Sequence, residues 1–182
     1  AARPPAEGAA EGEAKVVLAG LVLDARDGAP IAGATVWLEA HRGPCPRLPA
    51  RSDVDLFLGF PATSRADGRF AIRLPAADAP AEGSIDVFVR AAGHVGQVLC
   101  APATSGEVTV RLEPGLALKG KVTDPQGRAV PGASVGARPA PETPAVPGHA
   151  TLGERILTDA KGRFVLDGFL PGLVVVDVDH PK

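Results

Sequence analysis

The sequence predicts an all-β protein made of two tandem Greek-key β-sandwich domains with antiparallel strands. Three observations lead to this prediction. A block of residues near the start of the chain recurs about 100 residues later. Short apolar runs at strand spacing alternate with turns rich in Gly and Pro, roughly every 8 to 12 residues. No segment shows the capped apolar stripe of an amphipathic helix.

Composition supports a folded chain and narrows its chemistry. Hydrophobic residues make up 45% of the 182 residues, which is enough to form a core. The 19 basic and 21 acidic residues nearly cancel, so no charge field favours nucleic acid or an anionic membrane surface. No apolar run is long enough to span a membrane. The absence of tyrosine and asparagine excludes tyrosine-dependent catalysis, N-linked glycosylation and Lys–Asn crosslinks.

The repeat defines the predicted domains. Residues 20–36 match residues 120–135, apart from one residue inserted in a turn, and residues 64–72 match residues 158–166 in the same order. Because two co-linear matches are unlikely by chance, the chain is predicted to contain two copies of one domain. The copies are assigned to 15–114 and 115–182, and residues 1–14 are predicted to be a flexible linker rich in Pro, Ala, Glu and Gly.

Each copy divides into strands and turns. Gly28 and Gly127 follow Asp-containing turn signals and are expected to supply positive φ. Phe70 and Phe164 follow tight Gly-Arg turns and are expected to point into the core. The predicted strands are 16–23, 34–38, 85–89 and 108–112 in the first copy, and 116–123, 133–137 and 174–178 in the second.

These residues resemble a known family. Residues 120–135 read G-x-V-x-D-x-x-G-x-x-V-P-G-A-x-V, and residues 158–164 and 170–172 continue as T-D-A-K-G-R-F and L-P-G. This pattern resembles the carboxypeptidase regulatory-like domain, a transthyretin-like sandwich of immunoglobulin style. The resemblance is to the accessory domain of zinc carboxypeptidases and not to their catalytic part.

The resemblance also implies a further turn and strand in each copy. Members of the family continue with an Ala-x-Gly-Tyr turn and a final strand. Residues 91–94 occupy this place in the first copy, with His94 where the aromatic residue is expected. The second copy stops before this turn, so its last strand is expected to be either cut off or supplied by another chain.

Two cysteines, Cys45 and Cys100, each lie beside a predicted strand end and outside any C-x-x-C motif. A metal site would require more ligands at close spacing, so the alternatives are a disulfide and two free thiols. The disulfide is favoured because the linker is typical of an exported protein.

The loop between residues 41 and 62 is five residues longer than its counterpart in the second copy. It carries an apolar segment that includes Leu56, Phe57, Leu58 and Phe60. These side chains either fold back on the sandwich, anchored by Cys45, or form an exposed docking site for a partner.

Catalytic and metal-binding patterns are weak. The Gly132–Gly136 segment matches the G-x-S-x-G nucleophile elbow, but it opens a predicted strand and Thr35 replaces Ser134 in the first copy. Four histidines lie far apart in the sequence and are interpreted as solvated loop residues: His41, His94, His149 and His180. Two acidic pairs that could contribute to calcium binding are also interpreted as solvated: Asp53 with Asp55, and Asp177 with Asp179. No metal or cofactor is predicted.

The sequence therefore predicts a non-catalytic, exported module, bacterial in its Ala-, Arg- and Pro-rich usage. Its expected role is that of a spacer, scaffold or protein-interaction domain in a larger cell-envelope or secreted protein. Its partners would be other proteins or adjoining domains. The alternative is a carbohydrate- or peptidoglycan-binding accessory module, which is less favoured because Trp37 is the sole tryptophan and lies in a strand.

Overall fold

A computed structural model describes residues 14–41, 61–75, 84–102, 106–141, 143, 146, 148–149 and 155–180. These residues form strands and turns with no helix, which confirms the all-β prediction. In this part of the chain no helix could cross a membrane. The strands are β1 (Ala14–Asp24), β2 (Thr35–His41), β3 (Ala62–Thr63), β4 (Arg69–Pro75), β5 (Ser84–Arg90), β6 (Gln97–Pro102), β7 (Glu107–Leu112), β8 (Leu116–Lys121), β9 (Ser134–Pro139), β10 (Arg155–Leu157), β11 (Arg163–Phe169) and β12 (Val174–Asp179).

The first unit, β1 to β7, is a sandwich of two sheets. One sheet has the strand order β4-β1-β7 and the other β3-β2-β5-β6. Side chains from both sheets form one buried cluster, because alternate residues of each strand face inward. The cluster contains Val17, Leu18, Val22, Ala34, Val36, Leu38, Phe70, Ile72, Ile85, Val87, Val89, Ala91, Ala101, Val110 and Leu112.

One strand pair departs from the antiparallel arrangement that we expected. β7 lies parallel to β1, with Ala19 opposite Glu107 and Asp24 opposite Leu112. The physical reason is the route of the chain, since β7 returns from β6 in the opposite sheet and enters beside β1 in the same direction. A parallel pair requires such a crossover, whereas a tight hairpin joins only antiparallel strands.

The second unit, β8 to β12, repeats this plan with fewer strands. Its sheets have the orders β11-β8 and β10-β9-β12, and the buried centre consists of Val135, Ala137 and Leu166. From the repeat, β8 to β12 correspond to β1 to β5. Among the described residues, β12 is the last strand of this unit.

Equivalent turns of the two units have the same backbone conformation. Gly28 and Gly127 have φ values of 74° and 80°, as predicted. Phe70 is buried, whereas Phe164 is only partly buried, because the buried cluster of the second unit is smaller than that of the first. The predicted strands do not include β3, β4, β6, β10 and β11. In β6 the sequence does not alternate clearly between polar and apolar residues.

Two buried hydroxyl groups occupy equivalent places. The Ser64 hydroxyl accepts a hydrogen bond from the Ala34 nitrogen at 2.8 Å and donates to the Ile31 carbonyl at 2.7 Å. The Thr158 hydroxyl accepts from the Ala133 nitrogen at 2.9 Å and donates to the Val130 carbonyl at 2.7 Å. Each hydroxyl therefore holds the turn that precedes the second strand of its unit.

Several predicted features lie outside the described residues. They are Cys45, the docking loop with Leu56, Phe57, Leu58 and Phe60, the acidic pair Asp53 and Asp55, and residues 1–13 of the linker. Cys100 is described and lies within β6, partly buried. The disulfide and the docking loop stay predictions. β1 begins at Ala14, one residue before the predicted domain boundary.

Candidate functional site at the junction of the two units

The turn between β5 and β6, residues 91–96, contacts the second unit. Its conformation is set by a hydrogen bond from the His94 nitrogen to the Ala91 carbonyl at 3.1 Å, and Ala91 and Val95 are buried. The backbone nitrogen of Gly93 then points outward and donates to Oδ2 of Asp167, in β11, at 2.7 Å. A backbone group of the first unit is thus held by a side chain of the second.

The segment that connects the two units, Glu113–Gly115, is held by the same turn. The Val95 nitrogen donates to the Glu113 carbonyl at 2.8 Å, and the Gly115 nitrogen donates to the Gly93 carbonyl at 2.8 Å. His94 and Pro114 lie opposite each other as an isolated antiparallel bridge. Because both ends of this three-residue link are hydrogen-bonded, it has little freedom to act as a hinge.

Close backbone packing completes the junction. A Cβ atom on Gly115 would lie 2.6 Å from the Cα atom of Gly168. Gly168 has a φ of 82°, and a Cβ atom there would lie 2.7 Å from the His94 carbonyl oxygen. A side chain at either position would collide with backbone that cannot move independently, so the junction requires glycine at both.

Arg90 adds an ion pair to the hydrogen bond between Gly93 and Asp167. Nη2 of Arg90, the last residue of β5, lies 3.8 Å from Oδ1 of Asp167, and the two side chains are 26% and 31% exposed. At this partial exposure water screens the ion pair less than it screens a fully solvated one. The Asp167 carboxylate therefore has a backbone partner and a cationic partner, both from the first unit.

His94 ties the turn to the body of the first unit. Its Nδ1 atom lies 2.9 Å from the Ala92 carbonyl oxygen, and its Nε2 atom lies 3.1 Å from Oδ2 of Asp24. Both partners are acceptors, so both contacts are hydrogen bonds only when the ring carries a proton on each nitrogen. The Arg26 backbone N–H, and after it the His94 side chain, hold the pKa of Asp24 below its ordinary value of 3.8.

A second contact lies beside the link. The Val98 nitrogen donates to the Gly148 carbonyl at 2.9 Å, and Gln97 lies opposite His149 as an antiparallel bridge. Nε2 of His149 is 4.0 Å from a carboxylate oxygen of Glu113. Nδ1 of His149 is buried and has no hydrogen-bond partner in the described part of the chain. Gln97 and Val98, the first two residues of β6, therefore pair with residues 148–149 of the second unit.

The residues that the sequence offered as candidate catalytic or metal-binding groups lie outside the junction. Ser134 opens β9, and its hydroxyl accepts a hydrogen bond from Nε of Arg155 at 2.9 Å, so the G-x-S-x-G match stands on a strand. Asp179 pairs with Nη2 of Arg155, and Asp177 lies 3.6 Å from Nε of Arg138. No group of three or more metal-ligating side chains exists among the described residues.

Trp37 has a partner that the sequence did not indicate. It lies opposite Phe88 in the β2–β5 pair, and the two rings stack with centroids 5.6 Å apart and planes 6° apart. Both residues are partly exposed, and their neighbours in the strands face the core. The pair is therefore an aromatic surface on the outer face of the four-stranded sheet.

Sequence reasoning also missed Asp167 and Gly168. A signal was available, because these residues interrupt the alternation of β11, where the structure has a register shift between Leu166 and Phe169. The repeat places Arg73 and Leu74 at the equivalent positions of the first copy. An irregularity of this kind bends a strand locally and can re-aim a side chain.

Comparison with known proteins gives fold-level similarity only. No family model and no curated protein match this chain. Among solved structures, a streptococcal ancillary pilin is 12% identical with a TM-score of 0.35, over 91% of this chain and 58% of the pilin. The shaft pilin SpaA from Lactobacillus rhamnosus GG is 12% identical with a TM-score of 0.33, over 92% and 88% of the two chains. At TM-scores below 0.5 these similarities do not bear on function.

Proposed function

We propose that this chain is a non-catalytic, exported β-sandwich module that serves as a spacer, scaffold or protein-interaction domain of a larger cell-envelope or secreted protein. Its Ala-, Arg- and Pro-rich composition is typical of a bacterial protein. Its two domains would be 15–114 and 115–182, both of the carboxypeptidase regulatory-like type. The observation that carries the proposal is the junction, where the link Glu113–Gly115 is hydrogen-bonded to the turn of the first domain.

A spacer must transmit position from one end to the other. Domains joined by an ordinary linker move relative to one another unless their interface is substantial. Here the link has only three residues, and Asp167 and Gly148 add bonds to the first unit from two separate places in the second. The arrangement supports two units that move together.

The chemistry of the described residues supports a non-catalytic role. The carboxylates of Asp177 and Asp179 face arginines of their own sheet, and the Ser134 hydroxyl is engaged by Arg155. The chain also has no tyrosine. The side chains of Asp177, Asp179 and Ser134 therefore take part in structural bonds.

The spacer role is tested by ¹⁵N relaxation of the 182-residue chain. We expect residues of both units to report one common rotational correlation time. As a matched control, a Gly-Ser insertion after Gly115 is expected to give two shorter, separate times. Independent tumbling of the two units in the unmodified chain would overturn the spacer proposal.

Export and partner binding are tested separately. The docking-loop proposal expects that Phe57→Ser with Phe60→Ser leaves the melting temperature unchanged but abolishes capture of partners from an envelope extract. A large loss of melting temperature would instead show that these side chains fold back on the sandwich. Partners found only in the soluble cytosolic extract would overturn the extracytoplasmic location.

The alternative, a carbohydrate- or peptidoglycan-binding module, draws support from the Trp37–Phe88 pair. Stacked, partly exposed aromatic rings can pack against the apolar face of a sugar. Titration of soluble peptidoglycan fragments while following Trp37 fluorescence tests it, because Trp37 is the single tryptophan. Saturable quenching that is lost in Phe88→Ala would favour this alternative over the protein-contact role.

A further inference from the structure

The His94 side chain connects the turn at residues 91–96 to the end of β1. Nδ1 of the ring lies 2.9 Å from the Ala92 carbonyl oxygen, and Nε2 lies 3.1 Å from Oδ2 of Asp24. A carbonyl and a carboxylate only accept hydrogen bonds, so each contact requires a proton on the ring nitrogen. A neutral ring has one N–H group and would place a lone pair against one of the two oxygens. The geometry therefore favours the cationic ring, which carries a proton on both nitrogens.

The His94–Asp24 pair is partly shielded from water. The two side chains are 18% and 23% exposed, so water screens their attraction less than that of a fully solvated pair. The Asp24 carboxyl stays ionised in mild acid, because the Arg26 backbone N–H, and after it the His94 side chain, hold its pKa below 3.8. Near neutral pH the charge of the pair therefore changes only through His94.

The backbone on either side of His94 makes the bonds of the junction. The Gly93 nitrogen donates to Oδ2 of Asp167 in the second unit. The Gly93 carbonyl and the Val95 nitrogen both bond to the link Glu113–Gly115. A side chain that fixes residue 94 therefore also fixes the groups through which the first unit holds the link and the second unit.

His149, the other histidine at the junction, lacks this arrangement. Its Nε2 atom is 4.0 Å from a carboxylate oxygen of Glu113, whose side chain is 57% exposed. Its Nδ1 atom is buried and has no hydrogen-bond partner in the described part of the chain. A second proton on this ring would bury an unpaired donor, which costs free energy. Protonation is therefore matched by the surroundings at His94 and opposed at His149.

We propose that His94 is a proton-sensitive switch of the junction: the cationic ring holds the turn in place and couples the two units, and loss of its proton loosens them. The proposal rests on the proposed spacer role, because it adds a regulation of the same junction. Histidine ordinarily changes charge between about pH 5 and about pH 8. The closed junction offers the ring two acceptors, so it binds the proton more tightly than an open junction does. Its stability is therefore complete in mild acid and falls as the pH rises through this range.

Other charged groups lie on the elements that pack against the turn. They are Arg26 after β1, Arg90 at the end of β5, Glu113 in the link and Asp167 in β11. The two carboxylates favour a cation at His94 and the two arginines oppose it, so their effects offset one another. Asp24 lies at hydrogen-bond distance from the ring and decides the balance in favour of the cation.

Hydrogen exchange of backbone amides tests the switch in the 182-residue chain. Protection factors, which correct for the intrinsic pH dependence of exchange, are measured by ¹⁵N NMR at about pH 5.5 and about pH 8. Gly115 is the decisive amide, because it bonds to the Gly93 carbonyl and lies too far from His94 in sequence for the ring charge to alter its intrinsic rate. We expect its protection to be about tenfold lower at the higher pH, as for the loss of one hydrogen bond to a charged group. The amides of Ala34 and Ala133, which bond to buried hydroxyls, should keep their protection.

Variants distinguish the His94 ring from the rest of the junction. His94→Gln is neutral at every pH, so Gly115 should show the low protection of the parent chain at about pH 8 under both conditions. Asp24→Asn keeps an acceptor for the Arg26 nitrogen and offers a donor to a neutral ring, so the drop should shrink to less than about threefold. His180→Gln is the matched control, because His180 is exposed and follows β12, and its drop should stay about tenfold. In every variant the two reference amides show whether the units are folded.

Three results would overturn the proposal. The first is equal protection of Gly115 at the two pH values in a chain that keeps one correlation time, which would leave the spacer role standing. The second is a pH-dependent drop that persists in His94→Gln and disappears in His149→Gln. The third is independent tumbling of the two units at both pH values, which would overturn the spacer role as well.

Discussion

Oδ2 of Asp167 accepts a hydrogen bond from the Gly93 nitrogen at 2.7 Å, across 74 residues of sequence. The bond joins β11 of the second unit to the turn at residues 91–96 of the first unit. Oδ1 of Asp167 lies 3.8 Å from Nη2 of Arg90, also in the first unit. A single carboxylate therefore contributes to the relative placement of two similar sandwiches.

Asp167→Ala is expected to loosen the junction without unfolding either unit. The substitution removes a charge-assisted hydrogen bond and an ion pair. Because the carboxylate is partly exposed, the free energy of interaction between the two units should fall by about 1 kcal/mol. The measurement is the pair of correlation times from ¹⁵N relaxation, which should separate. Asp177→Ala is the control, because Asp177 faces Arg138 of its own unit. A single unchanged correlation time in Asp167→Ala would contradict this role.

Gly168→Ala is expected to destabilise the chain more than Gly132→Ala. Both glycines have positive φ, 82° and 71°, so alanine at either costs about 1–2 kcal/mol from the backbone conformation alone. Only at Gly168 does a Cβ atom meet another backbone, the His94 carbonyl at 2.7 Å, whereas at Gly132 nothing lies within 4 Å. Chemical denaturation of the two variants measures the difference, and equal losses would argue against close packing at the junction.

Ser64→Ala and Thr158→Ala are expected to cost about 1–3 kcal/mol each, because each leaves a buried backbone N–H and carbonyl without their partner. Ser64→Ala should weaken the first unit and Thr158→Ala the second, which tests the proposed domains. Amide hydrogen exchange resolves the two effects by residue. Thr63→Ala, at an exposed neighbouring position, is the control and should change little. Equal loss of protection in both units from either variant would mean that they unfold as one domain.

Stability is expected to fall in acid, partly through Asp124. The Arg128 backbone N–H is the main cause that holds the pKa of Asp124 below 3.8, and the Arg128 side chain and Gln126 N–H add to it. The folded state therefore keeps this carboxylate ionised at a lower pH than the unfolded state does. Between the lowered pKa and pH 3.8 the unfolded state binds more protons, so stability decreases as the pH falls through this range. The contribution is complete above pH 3.8 and is lost as pH falls through the lowered pKa.

Asp124→Asn separates this titration from the turn geometry, because its amide oxygen can still accept the two backbone hydrogen bonds. Melting temperatures measured from about pH 6 down to about pH 2.5 should fall less steeply in the variant than in the parent chain. Parallel curves would show that Asp124 contributes nothing to the acid response. The Arg163 N–H likewise lowers the pKa of Asp159, so Asp159→Asn is expected to act in the same direction.

Thiol titration of the denatured, unreduced chain is expected to find no free thiol, because Cys45 and Cys100 are predicted to form a disulfide. In the loop-entropy account a bridge that closes a loop of this length stabilises the fold by about 4 kcal/mol. Reduction should therefore lower the melting temperature, and Cys100→Ala in the presence of reductant serves as the reference. Two titratable thiols would contradict the disulfide.

The fold was predictable because its signals are local and occur twice. Gly28 and Gly127 follow the same turn signal, and Ser64 and Thr158 occupy the same place before the same Gly-Arg-Phe turn. The parallel pairing of β7 with β1 was not predictable, since strand direction within a sheet depends on the route of the chain between sheets. β6 was among the strands that the sequence did not predict, because its residues lack a clear alternation.

The sequence by itself determined two copies of a β-sandwich, their turns and the inward-facing residues of most strands, because these depend on the spacing of residues within one short segment. Only the tertiary structure decided the junction. Asp167 meets Gly93 through a contact between segments that are far apart in the chain. Such contacts depend on how whole sheets pack, and no local pattern of residues encodes them.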